Sequence, residues 1–228
     1  MTRTFDTYLP LEKSRVRRVR LAAEVLDGVT LSRISDGLTL TAQGLRGAPI
    51  VNAGGLFVWL EEAGRDPVSV RIDTGSLPLD PQVANVPALP ERLVRVELAP
   101  QRAYPFPGGV TAIRGLLIQN RNDDPPVPVT DVPAWLQWID DNHAGTTWVD
   151  TPVRGRTDAN GDFAATARFT PAQVPRLDSQ GRLRVRLAAT QAGITLKSPE
   201  LQIAEGRVTD GNGRLLAHGT TTCLIFPD

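Results

Sequence analysis

One cysteine among 228 residues, Cys223, excludes an intrachain disulfide and a cysteine-rich metal site. It reads as a small buried apolar residue near the C-terminal end. An excess of one charge is missing too, since 25 Lys and Arg face 25 Asp and Glu. Zero net charge lacks the basic footprint of a nucleic-acid binder, and its weak self-repulsion suits a subunit kept inside an assembly. No apolar run approaches the roughly 20 residues of a membrane helix. The opening stretch, MTRTFDTYLPLEKSRVRRVRLAAEVL, is charged and carries no apolar segment long enough for a signal peptide. These absences predict a cytoplasmic protein, free or inside a particle released from the cell, with no membrane insertion and no nucleic-acid partner.

Helical periodicity is scarce as well. Nineteen prolines and 20 glycines are spread along the chain, which favours many short strands over long helices. What is present is alternation. Val19, Leu21, Ala23 and Val25 alternate with polar or small neighbours, as do Leu38, Leu40 and Ala42, then Val68, Val70 and Ile72, then Val94, Val96 and Leu98. The second half repeats the pattern in Ile113 to Ile118, Ala134 to Ile139, Asp162 to Phe169, and Leu183, Val185, Leu187 and Ala189. PELQIAEGRV and RLLAHGTTTCLIF, joined by Thr209-Asp210-Gly211-Asn212-Gly213, read as a closing hairpin. TPAQVPRL, 170 to 177, is the one candidate for a short helical turn, with Thr170 as cap and Pro171 at the first helical position. The proline-punctuated stretch 77 to 93 reads as an extended loop.

The expected fold is all-β, with 41% hydrophobic residues supplying a packed core. Residues 1–14 form an N-terminal arm, 15–103 a first β-sandwich, and 108–228 a second with a C-terminal hairpin. APQRAYPFPGG is the joint between them, stiffened by Pro105 and Pro107.

Signatures of chemistry are missing. The histidines, His143 and His218, lie far apart, and His143 with Asp140 and Asp141 is a run of neighbours in a polar loop. No Gly-Xaa-Ser-Xaa-Gly elbow accompanies a Ser/His/Asp set. GGLFVWLEE lacks the Lys-Ser/Thr of a phosphate loop. The sequence thus predicts no catalytic residue, no cofactor and no metal. Its most pointed turn is Asp158-Ala159-Asn160-Gly161, followed by the strand anchor Phe163. Asp158 is placed to accept backbone N–H bonds and Gly161 to take positive φ. A calcium loop using Asp158, Asn160 and Asp162 is the rival reading, with no Glu at the twelfth position to complete it.

VTAIRGLLIQNRNDDPPVPVTDVPAWLQWID followed by GRTDANGDFAATARF resembles the carboxypeptidase regulatory-like domain, a transthyretin-like β-sandwich. The likeness rests on Arg114-Gly115-Leu116, the proline-rich stretch after it, the strand Ala134 to Ile139, and Thr157-Asp158-Ala159-Asn160-Gly161-Asp162-Phe163. It covers about residues 110 to 205. It implies a binding or spacer module without catalytic residues of its own. VLDGVTLSRISDGLTLTAQG and PIVNAGGLFVWLEE look like an Ig-like sandwich. The order of the two modules is similar to accessory proteins of phage tails and contractile injection particles. VTDGNGRLLAHGTTTCLIF resembles the final strands of hotdog-fold thioesterases, but the long central helix of that fold has no counterpart upstream.

Tryptophans supply the remaining signal. Trp135 and Trp138 are three apart on one strand and must face opposite sides, so one points away from its own core. The alternatives are an interface, a place in the core through a bulge or covering loop, and a sugar platform. In the arm, Phe5, Tyr8, Leu9 and Leu11 are apolar anchors suited to a neighbouring surface. The functional expectation is a non-catalytic structural or adaptor subunit that contacts other protein subunits, itself included. A carbohydrate-binding module is the alternative, and an acyl-CoA thioesterase the third reading.

Overall fold

The computed structural model describes residues 18–60, 66–88, 91–108, 110–120, 122, 124–140, 147–169, 172–173, 175–204, 207–210 and 215–218, with side chains through residue 203. Seventeen strands follow one another, with no helix among the described residues. They are β1 (Val19–Asp27), β2 (Thr39–Gln43), β3 (Ile50–Val51), β4 (Phe57–Leu60), β5 (Ser69–Asp73), β6 (Gln82–Asn85), β7 (Leu93–Leu98), β8 (Thr111–Leu116), β9 (Pro133–Ile139), β10 (Trp148–Asp150), β11 (Gly155–Arg156), β12 (Asp162–Ala167), β13 (Leu183–Gln191), β14 (Ile194–Lys197), β15 (Leu201–Ala204), β16 (Arg207–Asp210) and β17 (Leu215–His218).

Alternation explains the first half. Leu21, Ala23 and Val25 are fully buried, as are Val70, Ile72 and Leu98, while Val94 and Val96 are nearly so. These side chains pack with Leu40, Phe57 and Trp59 into one cluster. The cluster draws on two sheets, one ordered β3-β4-β1-β7 and the other β2-β5-β6. β1 lies between β4, antiparallel, and β7, parallel, with Ala22 to Asp27 in register with Leu93 to Leu98. On the outer side of β1, Glu24 is clamped by Arg33 and by Arg95, whose Nε lies 2.7 Å away. The arginines themselves cover the carboxylate, and hydrogen bonds from Arg33 and then Arg95 hold it below the usual carboxylate range.

A second cluster forms in the other half around Ile113, Leu136, Trp138, Phe163, Val185 and Leu187. It takes side chains from the β12-β8 pair and from a larger sheet running β10-β9-β13-β15-β16-β17, with β11 on β9 and β14 on β13. Leu183, Val185, Leu187 and Ala189 point inward as their alternation demands. β16 and β17 pair antiparallel, so the C-terminal hairpin is present. The turn before β12 is built as expected. Asp158 Oδ1 accepts from Asn160 N and Asp162 N at 2.7 and 2.9 Å, Gly161 has φ +78°, and Phe163 is fully buried.

One expectation fails, and another falls partly outside the described residues. Of the expected helical turn, Thr170, Pro171 and residue 174 lie outside the described residues, while Pro175 and Leu177 form isolated bridges to Asp140 and Leu183. Within the stretch expected to be a loop, Gln82–Asn85 forms β6 against β5, since Pro81 and Pro87 flank but do not interrupt it. The His143 loop and Cys223 lie outside the described residues.

Candidate functional site

The two halves meet through specific contacts. Val153 packs its methyls over Gly28, where a Cβ would lie 3.1 Å from them and 2.5 Å from the Leu98 carbonyl oxygen. Arg168 pairs with Glu97 at 2.6 Å, and Arg102 pairs with Asp162. Arg114 donates to the Tyr104 carbonyl and stacks over Phe106 at 4.8 Å, while the Tyr104 hydroxyl donates to Asp27. Burial raises the Tyr104 phenol well above its ordinary pKa.

Beside these contacts lies an open groove of about 690 Å³. One wall comes from the first half. Asp80 N donates to Ala99 O at 2.8 Å and Gln101 N to Pro78 O at 3.0 Å, which sets Asp80 and Gln101 side by side ahead of β6. The other wall comes from the ends of β9 and β11. Asp131, held at φ +56°, accepts from Arg156 Nε at 2.7 Å, and its carbonyl accepts from Arg156 Nη2 at 2.8 Å. Arg156 N crosses the groove to Asp80 Oδ2 at 2.9 Å.

Asp80 is the electrostatic anomaly of the groove. Burial pushes its carboxyl up to about 6, and the Asp158 charge adds to this. The Arg156 N–H, a Gln101 hydrogen bond and the Arg156 charge offset part of that rise. Asp131 behaves oppositely, since its hydrogen bond to Arg156 holds it below the usual range. Among the described residues, the lining contains no Ser, Cys, His or Lys. The groove can therefore offer hydrogen bonds of both senses and exchange one proton near pH 6. Among the described residues no group of three or more His, Cys, Asp or Glu is arranged for a metal ion. A smaller cavity of about 340 Å³ lies at another place in the first half, where Arg20 pairs with Asp66 and Arg92 donates to the Val19 carbonyl.

Of the sequence-predicted residues, Trp135 and Trp138 fall elsewhere. Phe5, Tyr8 and Leu9 lie outside the described residues. Trp138 is fully buried in the second cluster, edge-on to Phe169 at 5.0 Å between ring centres. Trp135 points to the opposite face of β9 as alternation requires, yet only 3% of its surface is exposed. The Arg154 guanidinium covers its ring at 4.3 Å. On the same face Arg186 lies 4.2 Å over Trp148 and donates to Gln137, which donates to Asp150, which in turn pairs with Arg154. Burial pushes Asp150 up, but donors from Gln137, Trp135 and Arg154 outweigh it and hold the carboxyl below its ordinary range. The Trp135 N–H faces that carboxylate without reaching normal hydrogen-bond geometry. Neither tryptophan is thus an open surface aromatic. Asp80, Gln101, Asp131 and Arg156 carried no signal in the sequence, because only the packing of the halves brings them together.

No protein-family model, curated protein or solved structure matches the chain. Among the described residues no helix is long and apolar enough to cross a membrane.

Proposed function

We propose that the chain is a non-catalytic structural or adaptor subunit that holds protein partners, itself included, in a larger assembly of the phage-tail or contractile-injection kind. In this reading the first half is an Ig-like sandwich and the second a carboxypeptidase regulatory-like one, in a protein made in the cytoplasm. One observation carries the reading: the halves are tied by Glu97–Arg168, Arg102–Asp162, Asp80–Arg156 and the Gly28–Val153 contact. A spacer must keep its two ends in a fixed relation, and ion pairs together with close packing across a junction do so. Exposed apolar side chains on the short strands, Ile50 and Val51 on β3 and Ile194 on β14, supply candidate contact points.

Light scattering of the full chain and of a chain lacking residues 1–12 tests this. The full chain is expected to self-associate, and the truncated one to associate less while melting at nearly the same temperature. A full chain that stays monomeric at every concentration and hydrolyses any of a panel of acyl-CoA esters would overturn the reading in favour of an enzyme.

A further inference from the structure

We infer that the groove between the halves binds a neutral, hydroxyl-rich ligand, an oligosaccharide. The inference goes beyond the adaptor reading and does not depend on it. Ligand sites favour junctions between folded units, and the groove's 690 Å³ lies within the usual range of about 300 to 1,000 Å³ for such sites.

Hydrogen-bonding capacity selects the ligand class. Arg156 uses Nε and one terminal nitrogen on Asp131, and Arg154 uses one on Asp150, so each keeps further N–H donors. Asp80 already accepts from Arg156 N and from Gln101, whereas Asp158 spends one oxygen on its own turn and keeps the other as an acceptor. Gln82 presents both an acceptor and two donors from an exposed side chain. Donors and acceptors thus converge in one concavity. A hydroxyl both donates and accepts, so a polyol matches such a wall at every point. An anion would meet Asp80 and Asp158, and a cation would meet Arg154 and Arg156. Pro81, Pro133 and Val83, the last 62% exposed, add apolar surface against which the C–H face of a sugar ring can lie.

Titration calorimetry of the full chain tests this with three soluble probes, the hexasaccharides of β-1,4-linked glucose, β-1,4-linked N-acetylglucosamine and α-1,4-linked glucose. A lysine-rich hexapeptide is the cationic control. At least one sugar is expected to bind and the peptide not. Gln82→Ala, which removes polar contacts, and Val83→Trp, which fills the groove, are each expected to weaken binding about tenfold or more. Both positions are exposed, so the fold survives either change. Ile194→Ala, at an exposed position on β14 that does not line the groove, is expected to leave binding unchanged. Three outcomes overturn the inference: no sugar binds, only the peptide binds, or sugar binding ignores both groove variants. Self-association is read separately by light scattering, so failure here leaves the adaptor reading standing, and the reverse also holds.

Discussion

Replacing Asp80 by asparagine should stabilise the protein at neutral pH, although it removes a charge that faces an arginine. The folded protein holds the Asp80 proton up to about pH 6, whereas the ordinary value is 3.8. Between these values the folded state keeps a proton that the unfolded chain has released. Stability therefore falls as pH rises through this window, and the full penalty applies above it. Two pH units correspond to about 3 kcal/mol, the ceiling for the effect. Asparagine keeps an oxygen to accept the Arg156 N–H at the same place, so the junction is preserved while the buried charge disappears. Urea unfolding at pH 4 and pH 7.5 is the assay. The two proteins should be nearly equal at the lower pH, and Asp80→Asn should lead by up to about 3 kcal/mol at the higher. A gap that does not change with pH would refute the reasoning, as would a variant less stable than the parent at pH 7.5.

Four further outcomes follow from the same structure. Gly161→Val places a branched side chain at φ +78° with its Cβ 2.5 Å from the Leu117 carbonyl oxygen, and calorimetry should show a loss of about 3 kcal/mol; an unchanged melting temperature would show the turn to be built differently. Trp138→Ala empties the centre of the second cluster and should cost about 4 kcal/mol, while Trp135→Ala on the other face of β9 should cost clearly less; equal losses in urea titrations would contradict the two environments described. Glu24→Gln should lower stability at neutral pH, and because the folded carboxyl titrates below 4.5 the parent's advantage should vanish as the pH drops through the lowered folded value; equal stability at pH 7 would show that the two arginines contribute nothing. Calcium should leave the melting temperature in place, since one Asp158 oxygen already takes two backbone N–H groups and Asp162 pairs with Arg102; a rise would revive the calcium loop.

Many strands that carry the two cores were legible because they alternate buried and less buried residues, as β2, β5 and β7 do, whereas β9 and β12 bury nearly every residue. Leu21, Ala23 and Val25, or Leu183, Val185 and Leu187, announce their faces without any tertiary information. β6 escaped because prolines on both sides dominate its local composition, whereas the sheet needs only four of the residues between them. The orientation of Trp135 and Trp138 could be deduced from spacing, but the cover over Trp135 could not, since Arg154 reaches it from another strand connection. The groove was invisible for a similar reason. Asp80 and Arg156 are 76 residues apart, and neither residue type nor spacing marks them until the halves pack together.

The parallel pairing of β1 with β7 also determines how the first half bears a load. β1 opens that half and β7 ends just before the joint, and the two run in the same direction over six paired residues from Ala22 and Leu93 to Asp27 and Leu98. Tension applied through the two ends pulls β1 backward and β7 forward along a common axis. The hydrogen bonds between them are then strained together in shear, and none can open alone as in an unzipping hairpin. Forced rupture follows the unfolding rate and not the equilibrium stability, so this strand pair acts as a mechanical clamp whose strength lies in its direction.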